Sequence, residues 1–382
     1  MEEQLRKRRT QATTELPQEI IHNEILPRLP HQSVIQCRCV CKSWLSQISD
    51  PEFAKLHLSH HQFCDTYLVK RYFKPELEIV SPMKKTFIDT APFLGISLLI
   101  GSLNGLIFFV RGEGFTLWNP AIRQYKELDT AQLHTSICKQ VGDSCNWRSV
   151  DGKCRHLYGF GWDRRRDDYK MVVVCYVDPD SKQGFVYSAN SDSWTEVVLP
   201  TGIFGTKSRS FVKSPCPSVV VKDCPYWSYL KYLQLPGESS KRRLTVVFKF
   251  VAENNEFRLL PEFDLAGQME LKLVNLRDRL VGMNYRYTGS MFRPKVLNIY
   301  MLDHEGSAGV WSKIYTMEDV DCFLNTRLGL GPFTYTPSLV FLQGMKKIMH
   351  SETHSQTSNN PGNLITKPDS HSHLQFKSPL NI

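Results

Sequence analysis

The sequence predicts a chain of α+β multidomain class: a small N-terminal three-helix module followed by a large antiparallel all-β domain of propeller-like architecture. Three observations predict it. Apolar residues recur at helical spacing over residues 16–56. After Leu58 that period stops, and short runs rich in Val, Ile, Phe and Tyr, bounded by Gly, Pro, Asn and Asp, take its place. Along these runs a unit of strand, polar loop and aromatic-led strand recurs, as a radial fold requires.

The first helix carries Leu16, Ile20, Ile21, Ile25 and Leu29 on one face. Pro17 suits its first turn, where a missing N–H has no partner to lose. Pro27 ends or tightens it near Leu26. Pro30 separates it from a second helix, Gln32 to about Cys39, and a third runs from about Lys42 to Asp50 with Trp44, Leu45 and Ile48. Roughly 45 residues cannot bury this much apolar surface alone, so part of it must meet another domain or another protein.

Leu16-Pro17, Ile20, Ile25-Leu26, Leu29-Pro30, Val34, Cys39-Val40-Cys41-Lys42-Ser43-Trp44, Ile48, Pro51 and Phe53 together resemble an F-box, the helical module that docks a Skp-type adaptor in a cullin–RING ubiquitin ligase. The resemblance implies that Leu16, Pro17, Ile25, Leu29 and Pro30 contact the adaptor. It implies that Trp44 packs the helices together, and that Cys37, Cys39 and Cys41 fill buried small positions.

In the β region the expected strands are Thr66–Tyr72, Gly95–Gly101, Leu106–Arg111, Phe115–Trp118, Tyr169–Val177 and Gly184–Ser188. Further along come Ser218–Lys222, Leu244–Val251, Leu273–Leu276, Arg279–Asn284, Val296–Leu302 and Val310–Tyr315. Phe93 to Val110 is apolar enough to suggest a membrane span. Asn104-Gly105 between its two apolar runs instead signals a two-residue hairpin, so two buried strands are expected and no membrane. The repeat pairs Phe115–Trp118 with Tyr125–Leu128, Val186–Ser188 with Ser193–Val197, and Leu297–Leu302 with Val310–Ile314. Gly159-Phe160-Gly161 reads as a tight turn between strands, too short for dinucleotide binding.

Asn104-Gly105-Leu106, Leu117-Trp118-Asn119-Pro120, Tyr158-Gly159-Phe160-Gly161-Trp162-Asp163, Asp168-Tyr169-Lys170-Met171-Val172, Val186-Tyr187-Ser188 and Ser193-Trp194 resemble, in order, the plant F-box-associated, kelch-like β domain. Tyr226-Trp227, Glu256-Phe257, Ile299-Tyr300-Met301 and Trp311-Ser312-Lys313 continue the series. Lys222-Asp223 stands where Asn-Gly is usual and Tyr300 where Trp is usual, which puts local loop geometry in question.

Four segments are expected: a disordered basic N-terminus (1–13), the F-box (14–60), the β domain (61–347) and a disordered tail (348–382), which is rich in Ser, Asn, Thr, His and Pro. The chain has 382 residues, 41% of them hydrophobic, enough for one small and one large domain with a sizeable core. Its net charge of +9 is spread over short clusters, Arg6–Arg9, Arg164–Arg166 and Lys241–Arg243, read as solvated loop charge. Nucleic-acid binders gather such charge on one stripe, so no nucleic-acid partner is expected. Eleven cysteines and a charged N-terminus without an apolar stretch fit reduced thiols in cytoplasm and/or nucleus.

No metal and no cofactor are expected. Cys37, Cys39 and Cys41 lack a histidine pair for a tetrahedral site, and Cys138, Cys145 and Cys154 beside His156 match no zinc spacing. No Gly-x-Ser-x-Gly elbow, Walker loop or His-Glu-x-x-His pair occurs. The resemblance therefore implies a non-catalytic substrate receptor, tied through the adaptor to cullin and RING proteins and holding a protein substrate of unknown identity. Substrate contacts are expected on inter-strand loops at one rim, in Asp143–Lys153, Arg164–Asp168 and Pro200–Ser214. Asp143, Lys153, Arg164, Asp168 and Lys207 are the candidate residues. An F-box scaffold or inhibitor without ubiquitin transfer, and a β-propeller enzyme, stay open beside this reading.

Overall fold

The structure is a computed structural model. It describes residues 16–61, 67–71, 77–80, 87–90, 93, 96–112, 114–133, 135–136, 155–176, 182–200, 203, 216–233, 242–264, 271–287, 294–303, 309–318 and 333–348. The basic N-terminus, Asp143, Lys153, Lys207, Cys138, Cys145, Cys154 and the tail after Ile348 lie outside the described residues.

The N-terminal module has four helical elements. Helix α1 starts as Gln18–Ile20, widens into a π turn over Ile21–Ile25 and tightens to a 3-10 turn over Leu26–Arg28. Pro27 accounts for the change of pitch. It has no N–H to give the carbonyl four residues back, and the bond just before it, from Leu26 N–H to Ile21 O, is already of π type. Helix α2 is His31–Cys37 and α3 is Lys42–Ile48. Helix α4, Pro51–His61, is the longest, and the sequence reading had caught only its first residues. Pro51 opens it, and Asp50 caps it by accepting from Glu52 N–H at 2.8 Å. Trp44 lies partly buried against these helices, edge-on to His22 at 6.4 Å, the packing role expected of it. Cys39 and Cys41 differ from expectation. Both are exposed, because the chain turns outward between α2 and α3, and only Cys37 packs against the core.

After a first sheet of β1 (Tyr67–Arg71), β2 (Leu77–Val80) and β3 (Phe87–Thr90), the chain builds four more sheets in order. The second holds β4 (Ile96–Leu103), β5 (Leu106–Arg111), β6 (Gly114–Asn119) and β7 (Gln124–Leu128). The third holds β8 (Arg155–Asp163), β9 (Asp168–Tyr176), β10 (Lys182–Ser188), β11 (Ser193–Val197) and, parallel to β8, β12 (Cys216–Pro217). The fourth holds β13 (Val219–Val221), β14 (Cys224–Leu233), β15 (Arg242–Val251), β16 (Glu256–Leu259) and β17 (Phe263–Asp264). The fifth holds β18 (Leu271–Leu276), β19 (Arg279–Tyr287), β20 (Pro294–Leu302) and β21 (Trp311–Glu318). The chain then returns: β22 (Phe333–Tyr335) pairs with β1, and β23 (Lys346–Lys347) pairs with β7.

The apolar run at Phe93–Val110 forms β4 and β5, joined by the expected hairpin. Leu103 pairs with Leu106, and Asn104 and Gly105 take φ of 51° and 80°. Among the described residues no helix is long and apolar enough to cross a membrane. Lys222-Asp223 makes the same two-residue turn as Asn-Gly, with φ of 46° and 64° between paired Val221 and Cys224. The Asp223 carbonyl accepts from Trp162 N–H at 3.0 Å, which offsets part of the left-handed strain.

The inner strands of the second and third sheets are buried on both faces, whereas outer strands such as β16 and β21 are largely exposed. All nine residues of β9 are buried. Trp118, Trp194 and Trp311 are all core residues. Gly159-Phe160-Gly161 is no turn; it lies inside β8. A Cβ on Gly159 would overlap the Trp227 ring, and one on Gly161 would meet the Asp223 carbonyl. The glycines are there for the close approach of the next sheet. The Arg164–Arg166 cluster lies in an exposed turn, as expected of solvated loop charge, and is also paired. Arg164 pairs with Asp223 and Arg165 with Glu253 at 3.1 Å, and Arg166, paired with Asp163 of its own hairpin at 3.0 Å, donates to the Glu253 carbonyl at 2.7 Å, so the cluster stitches the third sheet to the fourth.

The two modules share one core. Leu26, Val34, Ile48, Phe53 and Ala54 of the helices belong to the same apolar cluster as Phe108, Phe160, Tyr187 and Leu339 of the sheets. Helix α4 faces the tight turns at one end of the β strands, where Lys55 Nζ meets Asp167 Oδ2 at 2.9 Å. Part of the helical module's apolar surface therefore meets another domain of the same chain, one of the two outcomes its small size required.

Candidate adaptor interface

A helical module this small would bury its apolar residues if it could. On one side it does, against the sheets. Leu16, Ile20, Ile25, Val40 and Leu45 nevertheless stay exposed, at 56%, 43%, 38%, 63% and 47%. Pro17 and Pro30 are exposed beside them. The sequence reading identifies Leu16, Pro17, Ile25, Leu29 and Pro30 as adaptor contacts and leaves out Ile20, Val40 and Leu45. The signal of the last two was weak: Val40 sits at a turn, and Leu45, only three residues from buried Ile48 on α3, stays exposed all the same.

Leu29 also has a structural role. Its side chain is half-buried in the core cluster, and its carbonyl oxygen lies 2.9 Å from Nε2 of His57 on α4. The His57 ring is fully buried and stacks on His61 at 4.4 Å between centroids. Burial, the dominant influence, lowers the His57 pKa to about 4, so the neutral ring donates Nε2–H to Leu29. This bond fixes the Leu29-Pro30 corner on which one end of the exposed apolar surface is built.

Of the candidate substrate residues, Arg164 and Asp168 are described. Arg164 sits in the turn after β8, beside α4, with its Nε on Asp223. Asp168 is buried. It accepts from Asn190 N–H at 3.0 Å and from the Ser188 hydroxyl, and pairs with Lys170 at 2.7 Å, so it has no carboxylate to offer a partner. The rim carrying these turns is the one occupied by the helices. Among the described residues no group of three or more His, Cys, Asp or Glu side chains could hold a metal ion.

The chain matches the family model described as F-box associated beta propeller domain over residues 65–370, and that described as F-box-like over residues 13–57. A helical F-box leading into an all-β domain closed by its own C-terminal strand is the architecture found. The chain belongs to the F-box proteins with an F-box-associated β-propeller domain. It is 27% identical over 243 residues to the F-box/kelch-repeat protein At3g23880 of Arabidopsis thaliana, covering 57% of this chain and 62% of that one. It is 23% identical over 369 residues to the F-box protein CPR1 of Arabidopsis thaliana, covering 87% and 79%. The F-box protein At3g17710 of the same plant is 30% identical over 176 residues, covering 41% and 44%. The chain thus spans less than two thirds of the length of the first of these relatives.

Proposed function

We propose that this chain is a substrate-recognition subunit of a Skp–cullin–F-box ubiquitin ligase and that it performs no catalysis itself. The observation that carries this reading is the exposure of five large apolar residues, Leu16, Ile20, Ile25, Val40 and Leu45, in one small helical module that also packs into the core. Such exposure on a small module fits a partner protein. A Skp-type adaptor docks there, and cullin and RING proteins follow through it. The β domain holds a protein substrate so that ubiquitin transfer becomes effectively intramolecular.

Substrate contact then falls at the end of the strands away from α4. The near end is made of the turns Asn104-Gly105, 164–167 and 189–192, and α4 covers part of it. The connections from β7 to β8 and from β11 to β12 leave the strands at the far end, and Asp143, Lys153 and Lys207 belong to them in sequence. The test is reconstitution with a Skp-type adaptor, cullin, RING protein and conjugating enzyme. Stable assembly that is lost with Leu16→Ala/Pro17→Ala is expected. Failure to assemble with any Skp-type adaptor of the source plant would refute the reading.

A further inference from the structure

Cysteine is among the residue types most often buried, so two exposed thiols in one turn call for a cause. Cys39 and Cys41 stand exposed on either side of exposed Val40, between α2 and α3, while Cys37 packs against the core. The backbone of this turn is held at both ends. Cys39 N–H donates to the Gln36 carbonyl at 3.0 Å and Val40 N–H to that of Cys37 at 3.1 Å, and the Cys41 carbonyl accepts from Leu45 N–H at 3.0 Å. Cα atoms two residues apart are separated by at most about 7 Å, and a turn brings them closer, into the roughly 4.4–6.8 Å that a disulfide spans. The surroundings are basic. Arg38 and Lys42 flank the pair, and no acidic side chain occurs between Glu24 and Asp50. Glutathione disulfide, which carries net negative charge, is drawn to such a site.

We infer that Cys39 and Cys41 are a dithiol–disulfide couple that closes by exchange with glutathione disulfide. One cysteine thiolate attacks a glutathione sulfur, forming a mixed disulfide, and the first glutathione leaves as its thiolate. The other cysteine thiolate attacks the cysteine sulfur of that mixed disulfide and expels the second glutathione. The two protons given up by the cysteines pass to the two departing thiolates, so two thiols are oxidised and one disulfide is reduced. Only Val40 lies between the bridged residues, so the small ring sets its backbone angles and shifts its side chain. Closure also pulls on Cys41, whose carbonyl holds the first turn of α3, the helix that carries Leu45. Val40 and Leu45 belong to the exposed apolar set assigned to the adaptor, so closure weakens docking. That consequence rests on the adaptor reading, and the couple itself does not.

The reduced full chain is incubated with glutathione disulfide, desalted, and then either alkylated and digested with trypsin or titrated with a Skp-type adaptor. Cleavage after Arg38 and Lys42 releases Cys39–Lys42, which holds both thiols and no other. This peptide should be two hydrogens lighter and closed to alkylation, and should open with dithiothreitol. In Cys41→Ser, Cys39 should stop at the mixed disulfide with glutathione. A native peptide that stays reduced, or that carries glutathione without closing, overturns the couple. The closed chain should bind the adaptor at least about tenfold more weakly than the reduced one, whereas Cys39→Ser/Cys41→Ser should bind alike with and without oxidant. Loss of binding in that variant too would place the effect at other cysteines. Equal affinity of the closed and reduced native chains overturns the effect on docking and leaves the adaptor reading standing. A reduced chain that binds no Skp-type adaptor refutes that reading and the effect on docking with it, while the peptide still decides the couple.

Discussion

Trp227 Nε1 donates to the carbonyl oxygen of Tyr158 at 2.9 Å, and in doing so lays its ring across the backbone of Gly159. One indole therefore ties the fourth sheet to the third through a contact that tolerates no side chain at the next residue. Gly159→Ala should destabilise the β domain by about 1–3 kcal/mol through overpacking. Gly101, whose Cβ would meet nothing within 4 Å, is the control. Urea denaturation of the two alanine variants should separate them, and equal midpoints would show that Trp227 can move aside.

At the adaptor face, Leu16→Ala/Pro17→Ala should weaken adaptor binding with the fold unchanged, since both residues are exposed. Anchors at interface centres typically cost about 2 kcal/mol or more each. Leu29→Ala/Pro30→Ala should lower both affinity and stability, because Leu29 also packs in the core. Calorimetric titration beside melting curves distinguishes the two patterns.

His57 gives stability a dependence on pH. Its pKa in the folded chain, about 4, lies below the 6.5 of a free histidine, so the unfolded chain takes up the extra proton between these values. The folded state is favoured fully above pH 6.5 and loses ground as pH falls toward 4, by up to about 3 kcal/mol. Urea midpoints at pH 7, 5.5 and 4.5 should fall more steeply for the native chain than for His57→Phe. Parallel slopes would place the acid sensitivity elsewhere.

The shared core predicts that residues 1–61 alone are poorly folded. Phe53 and Ala54, buried in the full chain, would be uncovered. Circular dichroism should show a broad, low-temperature melt for the fragment, sharpened by added adaptor. A cooperative melt at the temperature of the full chain would mean that the helices need no sheet beneath them.

Chains ending at Met349 and at residue 332 should behave very differently. The shorter one loses β22, β23 and the segment in which the carbonyls of Ser338 and Val340 accept from Asn119 Nδ2 at 3.1 and 2.6 Å. A fall of many degrees is expected for it, and none for the chain ending at Met349, whose missing tail is poor in apolar residues. A large fall for the longer one would give the tail a structural role.

The parts of this architecture legible in the sequence were those fixed locally. Leu106–Arg111 was read to the residue, and the Asn104-Gly105 turn with it, because hairpin geometry depends on neighbouring residues. Strands β8 and β14 were missed. Gly159, Gly161 and Pro225 look like breakers until the sheets are set side by side, when Pro225 and Trp227 prove to be what the glycines accommodate. The site followed the same rule. Leu16 and Ile25 were legible from helical spacing. The inward turn of Asp168 and the pairing of Arg164–Arg166 were not, since Asn190, Asp223 and Glu253 are remote in sequence.

The return of the chain to its starting sheet has a mechanical consequence. Three residue pairs, Tyr67–Tyr335, Leu68–Thr334 and Val69–Phe333, hold the last strand of that sheet to the first, and two more hold β23 to β7. An unfoldase drawing the polypeptide in from its C-terminal end meets these five pairs before any other ladder, and peels β23 and then β22. Once they are gone the circle is open, and each sheet unravels with one neighbour missing. Traction from the N-terminal end must first extract α1 to α4 from the core they share with the sheets. The molecule is thus weak in one direction of pull and braced in the other, and the direction of threading decides how readily it is dismantled.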